Sequence, residues 1–373
     1  MQARSRCSEA AEPLRSTTDD RRPPLVHGTP NPAAAADGRR SSVVGRRSQL
    51  LAPSLLGTAA LIAALTAVPG QSHAQDANFT AAPDAIEHML QDEPLQIVGM
   101  ADNRWQGDRT QRVALKFKDG TVLGVKWART PPGGRTLNNQ PQYEIAAYRL
   151  QKLFLDPPHY VVPPTVMRVV PLSLYHQIDS LSQPTFEGTA SVLVVIQYWL
   201  NNVKVEEAQD LWEPQRFATD TAYARDFANL NVLTYLIRHA DSNPGNVLIA
   251  ADSTHPRLFA VDNGVAFSSP DSPRGTFWKD LRVDRLPGAT VQRLRSLTRD
   301  GVARALSVVA QYRTDADGRL EPMAPTARRK PFLNVVYAGG IAQFGLTDKE
   351  IDGVWERLQA LLQRVDAGEI STF

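Results

Sequence analysis

His239-Ala240-Asp241-Ser242-Asn243-Pro244-Gly245-Asn246, followed after an apolar hairpin by Val261-Asp262-Asn263-Gly264, is the stretch on which the reading of this chain turns. The pattern is H-x-D-x₄-N and then, sixteen residues on, D-x-G. An Asp at a helix end and an Asn at the start of a strand can face one cleft, with a second Asp closing the paired strand beside them. Phosphoryl transfer needs that set, a carboxylate next to the attacking hydroxyl and hard oxygen ligands for a divalent cation on the phosphates. Singly, each residue also suits a turn, with Asp241 beside a helix C-cap, Asn246 in a loop and Asp262 in an Asx-turn. Together, between two apolar strands, they read as a catalytic loop and a metal-ligand pair.

Outward from this stretch the periods are clear. Upstream, Tyr223, Phe227, Leu230, Leu233 and Ile237 form one helix face, with Thr219 or Asp220 as N-cap. The hairpin itself runs from Val247 to Ala250, turns through Asp252 and His255, and returns from Leu258 to Val261. Residues 96–128 alternate as strands around the turn Asp119-Gly120. A loop over 129–141 leads to a helix from about 142 to 155, on the spacing of Tyr143, Ala147, Leu150 and Phe154, which Pro157 and Pro158 stop. Residues 159–176 read as a strand pair around Pro163-Pro164, Ser191 to Leu200 as a buried strand, and 288–312 and 347–365 as helices. Strands first and helices second make an α+β chain with a cleft where the parts meet.

The front half supplies partners for the acidic loop. Val122, Gly124, Lys126 and Ala128 share one strand face, opposite Leu123, Val125 and Trp127, so small residues flank the lysine and leave room for a flat ring. Eighteen residues later Glu144 opens the helix, placed to pair with Lys126. Gly99 and Gly107 bracket Met100 to Gln106, but no G-x-G-x-x-G occurs there, and turn glycines account for the pair equally well.

On these residues the chain resembles an atypical branch of the protein-kinase-like superfamily, namely the secretory-pathway kinases of the Golgi-casein-kinase type and, more distantly, the phosphatidylinositol 3/4-kinases. The resemblance rests on Gly124-Val-Lys126-Trp, Glu144-Ile-Ala-Ala-Tyr-Arg-Leu, Val162-Pro-Pro-Thr165, Leu236 to Ile249, and Val261-Asp-Asn-Gly264, and it covers roughly residues 95–365. It implies a two-lobed fold, with a small β-rich N-lobe over 95–200, a helical C-lobe over 201–373 and an ATP cleft between them. It further implies that Asp241 is the catalytic base and that Lys126 binds the α- and β-phosphates of ATP with Glu144 as its ion-pair partner. Asn246 and Asp262 would ligate Mg²⁺ or Mn²⁺, and Ile196 to Leu200 would be the hinge whose backbone meets adenine, with Ile196, Gln197 and Tyr198 contacting the nucleotide. The chain departs from the pattern in lacking an Arg after His239 and in carrying Asn243 where many protein kinases keep a Lys on the γ-phosphate. No A-P-E motif follows Gly264.

The acceptor is an unidentified hydroxyl of a protein, glycan, lipid or small molecule. His239 to Asn246 also resembles the H-G-D-x-x-P-G-N loop of aminoglycoside and choline phosphotransferases, so that substrate class stays open. So does a catalytically inactive nucleotide-binding pseudokinase, although retention of Lys126, Asp241, Asn246 and Asp262 together argues against it.

Composition allows a sizeable core and excludes several classes. The 373 residues are 42% hydrophobic and 21% charged, with a mean hydropathy of −0.29, enough for a sizeable core and too polar for a multi-span membrane protein. The net charge of +2 divides into +4 over residues 1–74 (nine Arg, five acids) and −2 over the rest (32 basic, 34 acidic groups). A body of that charge does not suggest a nucleic-acid partner. Cys7, the only cysteine, lies in the leader, so the body has neither a disulfide nor a Cys-based zinc site.

Residues 1–45 read as a disordered leader, and 46–74 as an export signal. Arg46-Arg47 precede the apolar run Leu50 to Val68, Pro69-Gly70 breaks it, and Ser72-His73-Ala74 is a peptidase exit. Left uncleaved, the run would be a membrane anchor, the one route to membrane contact, and the twin arginine leaves Sec and Tat export both open. Residues 75–94 read as a linker to an exported body, periplasmic or secreted.

Overall fold

The computed structural model describes residues 77–373, apart from 102–109, 137, 206–211 and 253–256. The leader, the export signal, most of the Gly99–Gly107 loop and His255 lie outside the described residues. The architecture is mixed α and β, with antiparallel sheets. Strands β1 (Leu95–Met100), β2 (Thr110–Phe117), β3 (Val122–Arg129), β4 (Thr165–Pro171) and β5 (Ser191–Tyr198) form one sheet in the order β1-β2-β3-β5-β4. The β2–β3 turn is built as its sequence asks, with Gly120 at φ 89° and the Asp119 carboxylate accepting the Thr121 amide at 2.9 Å. Leu123, Val125 and Trp127 enter the outer apolar cluster, which leaves Lys126 on the other face.

The stretch expected to be a linker is a structural element. Helix α1 (Pro83–Asp92) buries Ile86 and Leu90 in that outer cluster, and Arg168 on β4 donates to the carbonyls of Leu90 and Glu93 at its C-terminal end. The preceding residues are tied to the end of β5. Asn78 donates to the carbonyls of Asn201 (2.9 Å) and Asn202 (3.2 Å), and Phe79 stacks on Tyr198 with centroids 5.5 Å apart.

Helix α2 (Pro141–Gln151) buries ten of its eleven residues, so it is a core helix rather than an amphipathic surface one. At its end the Gln151 side chain accepts the amides of Val161 and Val162, each at 2.8 Å, and donates to the Val162 carbonyl. The strand pair expected over 159–176 is a single strand, β4, followed by the one-turn helix α3 (Leu172–Tyr175). Pro163 and Pro164 have no N–H to give to a ladder, so pairing starts only at Thr165.

After β5 come β6 (Val203–Val205), helix α4 (Pro214–Thr219) and helix α5 (Thr221–Leu236). Asp220 caps α5 by accepting the amides of Ala222 and Tyr223 at 3.0 and 3.1 Å. The α5 face packs Phe227 against Trp212, Tyr223 and Trp278. The hairpin β7 (Val247–Ala250) and β8 (Leu258–Ala260) follows where expected, and β6 joins it as a third strand.

The remainder is not simply helical. Beyond β9 (Arg285–Leu286), α6 (Gly288–Ser296) and α7 (Arg299–Leu306) lies a second sheet. It consists of β10 (Ala310–Thr314), β11 (Leu320–Pro322), β12 (Val335–Ala338) and β13 (Ile341–Phe344), in the order β11-β10-β13-β12. This sheet abuts the first one. Tyr312 Oη donates to the Met167 carbonyl at 2.8 Å, and the Leu320 amide to Ser191 Oγ at 3.0 Å. Helix α8 (Asp348–Asp366) follows, and β14 (Ser371–Thr372) pairs in parallel with β9. One apolar cluster runs from Tyr148, Leu193 and Val195 through Phe227 to Tyr312, Phe344 and Leu358. The parts expected to divide at residue 200 therefore share a core.

A buried carboxylate ties α8 to α2. Glu350 completes a capping box with Thr347, and its Oε2 accepts from Thr347 N (2.8 Å), Thr347 Oγ1 (3.0 Å) and Asn334 Nδ2 (2.6 Å). Its Oε1 accepts from Ser268 Oγ (2.6 Å) and from the Tyr143 hydroxyl. Burial, reinforced by this carboxylate, holds the Tyr143 phenol above its ordinary range.

Candidate active site

Lys126 sits mid-strand on β3, in register between Arg112 on β2 and Gln197 on β5. Its Nζ donates to Glu144 Oε1 at 2.7 Å and to Asp262 Oδ1 at 2.5 Å. Burial alone would lower the lysine, but the carboxylates of Asp262 and Glu144 outweigh it and hold Lys126 above its ordinary value, so the ammonium stays charged. Glu144, in the first turn of α2, uses its second oxygen to accept the Asn263 amide at 3.1 Å. One carboxylate thus fixes both the lysine and the Asp-Asn-Gly segment.

That segment is shaped for its place. Asp262 has φ 55°, a left-handed conformation that Asp adopts more readily than most residues. Gly264 accepts the Gln140 amide at 2.8 Å, and a Cβ on it would lie 3.0 Å from Asn139 Cα, so the backbone at the start of α2 can come this close only to a glycine.

The acidic loop leaves α5 through Arg238, at φ 50°, while Arg357 from α8 donates twice to the carbonyl of Leu236. Asp241 is 2% exposed. Its Oδ1 accepts Asn243 Nδ2 at 3.0 Å, its Oδ2 accepts Asn246 Nδ2 at 3.1 Å, and Asn246 also reaches its carbonyl at 2.7 Å. The Val261 amide donates to the Asn246 carbonyl at 3.0 Å, which joins Asn246 to the residue before Asp262. His239 is buried beneath the loop. Its Nδ1 accepts the Asp241 amide, and its Nε2 faces the Val261 carbonyl, both at 3.3 Å. Burial pushes its pKa below the ordinary value of 6.5, in keeping with a neutral ring that donates from Nε2.

A cavity of about 700 Å³ opens beside Lys126 and Asp262, within the range of small-molecule sites, and Glu144, Asp241 and Asn246 are not among the residues that line it. Lys126, Asp262, Val261 and Gly245 line one part, and Gln197 to Asn202 another, with Arg112 and Leu248 on the walls. Gln197 and Tyr198 line the cavity, although the Gln197 amide is bonded to Thr165 Oγ1 and the Tyr198 ring packs in the outer cluster. Ile196 does not reach it. Strand alternation turns its side chain into the outer apolar cluster, fully buried.

Four lining or flanking residues were not singled out from the sequence. Asn201 and Asn202 line the cavity and are braced by Asn78, a contact between residues too far apart in the chain for any spacing to suggest. Arg112 lies over the Trp199 ring, 4.8 Å from its centroid, and shares a strand face with Ala114 and Lys116, so alternation could have found it. Arg274, from the loop after Gly264, donates to Asp241 Oδ2, and a lone arginine in a Ser/Pro-rich loop carries no sequence signal.

The residue types fit a nucleotide with a divalent cation. Lys126 and Asp262 stand at the wall of the cavity with Glu144 bonded to the lysine, and Asp262 and Asn246 offer oxygen donors. Among the described residues no group of three or more His, Cys, Asp or Glu side chains could hold a metal. Mg²⁺ on a phosphate chain asks for less, since one or two protein oxygens and the phosphates themselves suffice.

No protein-family model and no curated protein matches the sequence. Solved structures give distant likenesses. A Golgi casein kinase is 15% identical, over 76% of this chain and 75% of that chain, at a TM-score of 0.43, and a Golgi casein kinase with Mn/ADP bound gives the same figures. The MAP kinase LmaMPK10 from Leishmania major is 17% identical over 48% of this chain and 49% of that chain, at a TM-score of 0.27.

Proposed function

We propose that this chain is a phosphotransferase of the protein-kinase-like kind, moving the γ-phosphoryl group of ATP to a hydroxyl acceptor. The observation that carries the reading is the convergence of Lys126 and Asp262 on the wall of a cavity of about 700 Å³, with Glu144 bonded to Lys126, Asn246 joined to the Asp262 segment by a backbone hydrogen bond and Asp241 bonded to the Asn246 amide. In this reading Lys126 binds the α- and β-phosphates, and Glu144 holds the lysine in register. Asp241 orients the acceptor hydroxyl and takes up its proton. Asn246 and Asp262 would hold Mg²⁺ or Mn²⁺, which supplies charge neutralisation on the phosphates when bound. His239 and Asn243 position Asp241 from below and beside it.

The test is label transfer from γ-labelled ATP by the full-length chain with Mg²⁺ or Mn²⁺, beside an Asp262→Ala variant. Label that moves with the wild type and stops with the variant establishes the activity. Nucleotide-dependent melting without transfer would leave a binding module, and neither would refute the reading. We also propose that the body is exported. N-terminal sequencing of the purified protein should then give a start at Gln75, and an intact leader on protein from the cytoplasm would exclude it.

A further inference from the structure

Asp241 has one cationic partner among the described residues, Arg274, and the way that arginine is mounted gives it a role. The loop position where a lysine would serve the phosphoryl group is Asn243, which is neutral and turned inward. Its Nδ2 donates to Asp241 O and Oδ1, and its Oδ1 accepts the Gly245 amide at 3.0 Å. Lys126 is engaged by Glu144 and Asp262. Arg274 arrives from a different segment, which is pinned on both sides of the carboxylate. The Ser272 amide donates to the carbonyl of Ala240 at 2.7 Å, and the Trp278 amide donates to Ser242 Oγ at 3.0 Å. Residues 240 and 242 flank Asp241, so the span 273–277 is strapped across it.

Within that span Gly275 has φ 123°, and a Cβ there would meet the Phe277 ring at 2.8 Å, so the course of the strap demands glycine. The arginine side chain is 67% exposed while its partner carboxylate is 2% exposed. A guanidinium so mounted can pivot in solvent while the carboxylate beneath it stays fixed.

Resting on the phosphotransferase reading, we propose that Arg274 is the cation of the transferring phosphoryl group. It neutralises Asp241 in the free protein and shifts to the γ-phosphoryl oxygens when a nucleoside triphosphate binds, which frees Asp241 for the acceptor. In the transfer the acceptor oxygen bonds to the γ-phosphorus as the bond from phosphorus to the β,γ-bridging oxygen breaks. The hydroxyl proton passes to Asp241, and the nucleoside diphosphate leaves with the electron pair. Arginine suits the position because its planar fork binds phosphate in two places and remains charged throughout.

Calorimetric titration of the full-length chain with ADP and with a non-hydrolysable ATP analogue, each with Mg²⁺, tests the assignment without knowing the acceptor. Wild type should prefer the analogue. Arg274→Ala should keep ADP affinity and lose about tenfold or more of that preference, the worth of a charged hydrogen bond. Arg274→Lys should keep part of it, and Lys126→Ala should lose both nucleotides. An Arg274→Ala protein with the wild-type preference overturns the assignment and leaves the phosphotransferase reading standing, as does one that loses ADP and the analogue alike. A wild type that binds neither nucleotide overturns both.

Discussion

Replacing Glu350 tests how the site helix is held. The carboxylate accepts from Tyr143, Ser268, Asn334 and Thr347 and is 6% exposed, and Tyr143 immediately precedes Glu144 on α2. Glu350→Ala removes the capping box, worth about 1 kcal/mol. It also removes charge-assisted hydrogen bonds worth about 1.5–3 kcal/mol each before repair. Repair is partial, because Tyr143 Oη and Ser268 Oγ remain 2.9 Å apart and can bond each other, while water can reach Thr347. The expected loss is about 3–4 kcal/mol, or a fall of roughly 6–16 °C in Tm at the 2–4 °C per kcal/mol of larger domains. Glu350→Gln should cost only about 1 kcal/mol, since its amide oxygen can face the Thr347 and Asn334 N–H groups while its NH₂ donates to two hydroxyls able to accept. Urea denaturation of the full-length chain reads both losses, and nucleotide titration reads whether Glu144 moves with Tyr143. Equal effects of Ala and Gln, or an Ala variant within 1 kcal/mol of wild type, would refute the reasoning.

Other substitutions follow from the same geometry. Gly264→Ala drives a Cβ to 3.0 Å from Asn139 Cα and 3.2 Å from Asn139 C, both backbone atoms, and should cost about 1–3 kcal/mol in a denaturation series along with weaker nucleotide binding. Phe227→Ala empties a fully buried ring site between Trp212, Tyr223 and Trp278 and should cost about 3–5 kcal/mol, checked by the urea midpoint. His239 sits below its ordinary value of 6.5, so the unfolded chain takes up a proton that the folded chain refuses as pH falls through 6.5. The stability contributed by the neutral ring is therefore whole above 6.5 and is lost progressively below it. His239→Asn should flatten the acid limb of a stability-versus-pH curve, and an unchanged slope would assign that limb to other groups.

What could be read ahead of the structure was local. The β2–β3 hairpin announces itself because alternation and an Asp-Gly turn act within a few residues, and α5 does so through its cap and its apolar face. The acidic loop was legible because its spacing is set by one helix end and one short hairpin. The second sheet was hidden for opposite reasons. Its strands are three to five residues long, and Val308 to Tyr312 continues the helical spacing of α7 into what becomes β10. Its buried positions include Gln311 and Gln343, polar residues joined across paired strands where Gln343 Nε2 donates to Gln311 Oε1 at 2.8 Å. Helix α1 was missed because its few apolar residues stand in a short polar stretch and are fixed by packing in an outer cluster drawn from distant strands. The side that each residue of β5 takes was not legible either. In a strand buried on both faces, composition does not say which side a residue takes.

The bond between Asn78 and the end of β5 changes what kind of joint this is. Asn201 returns a hydrogen bond to the Asn78 carbonyl at 3.1 Å, Asn202 reaches Ala77 at 3.0 Å, and the Thr80 amide meets the Tyr198 hydroxyl at 3.1 Å. A connection that would otherwise be a single strand of chain is thereby double-stitched, and twisting it means tearing several bonds and unstacking Phe79 together. The mouth of the cavity is consequently stiff along this edge. A fragment beginning at Leu95 would carry every residue assigned to chemistry and still lack the brace that keeps the cavity's shape.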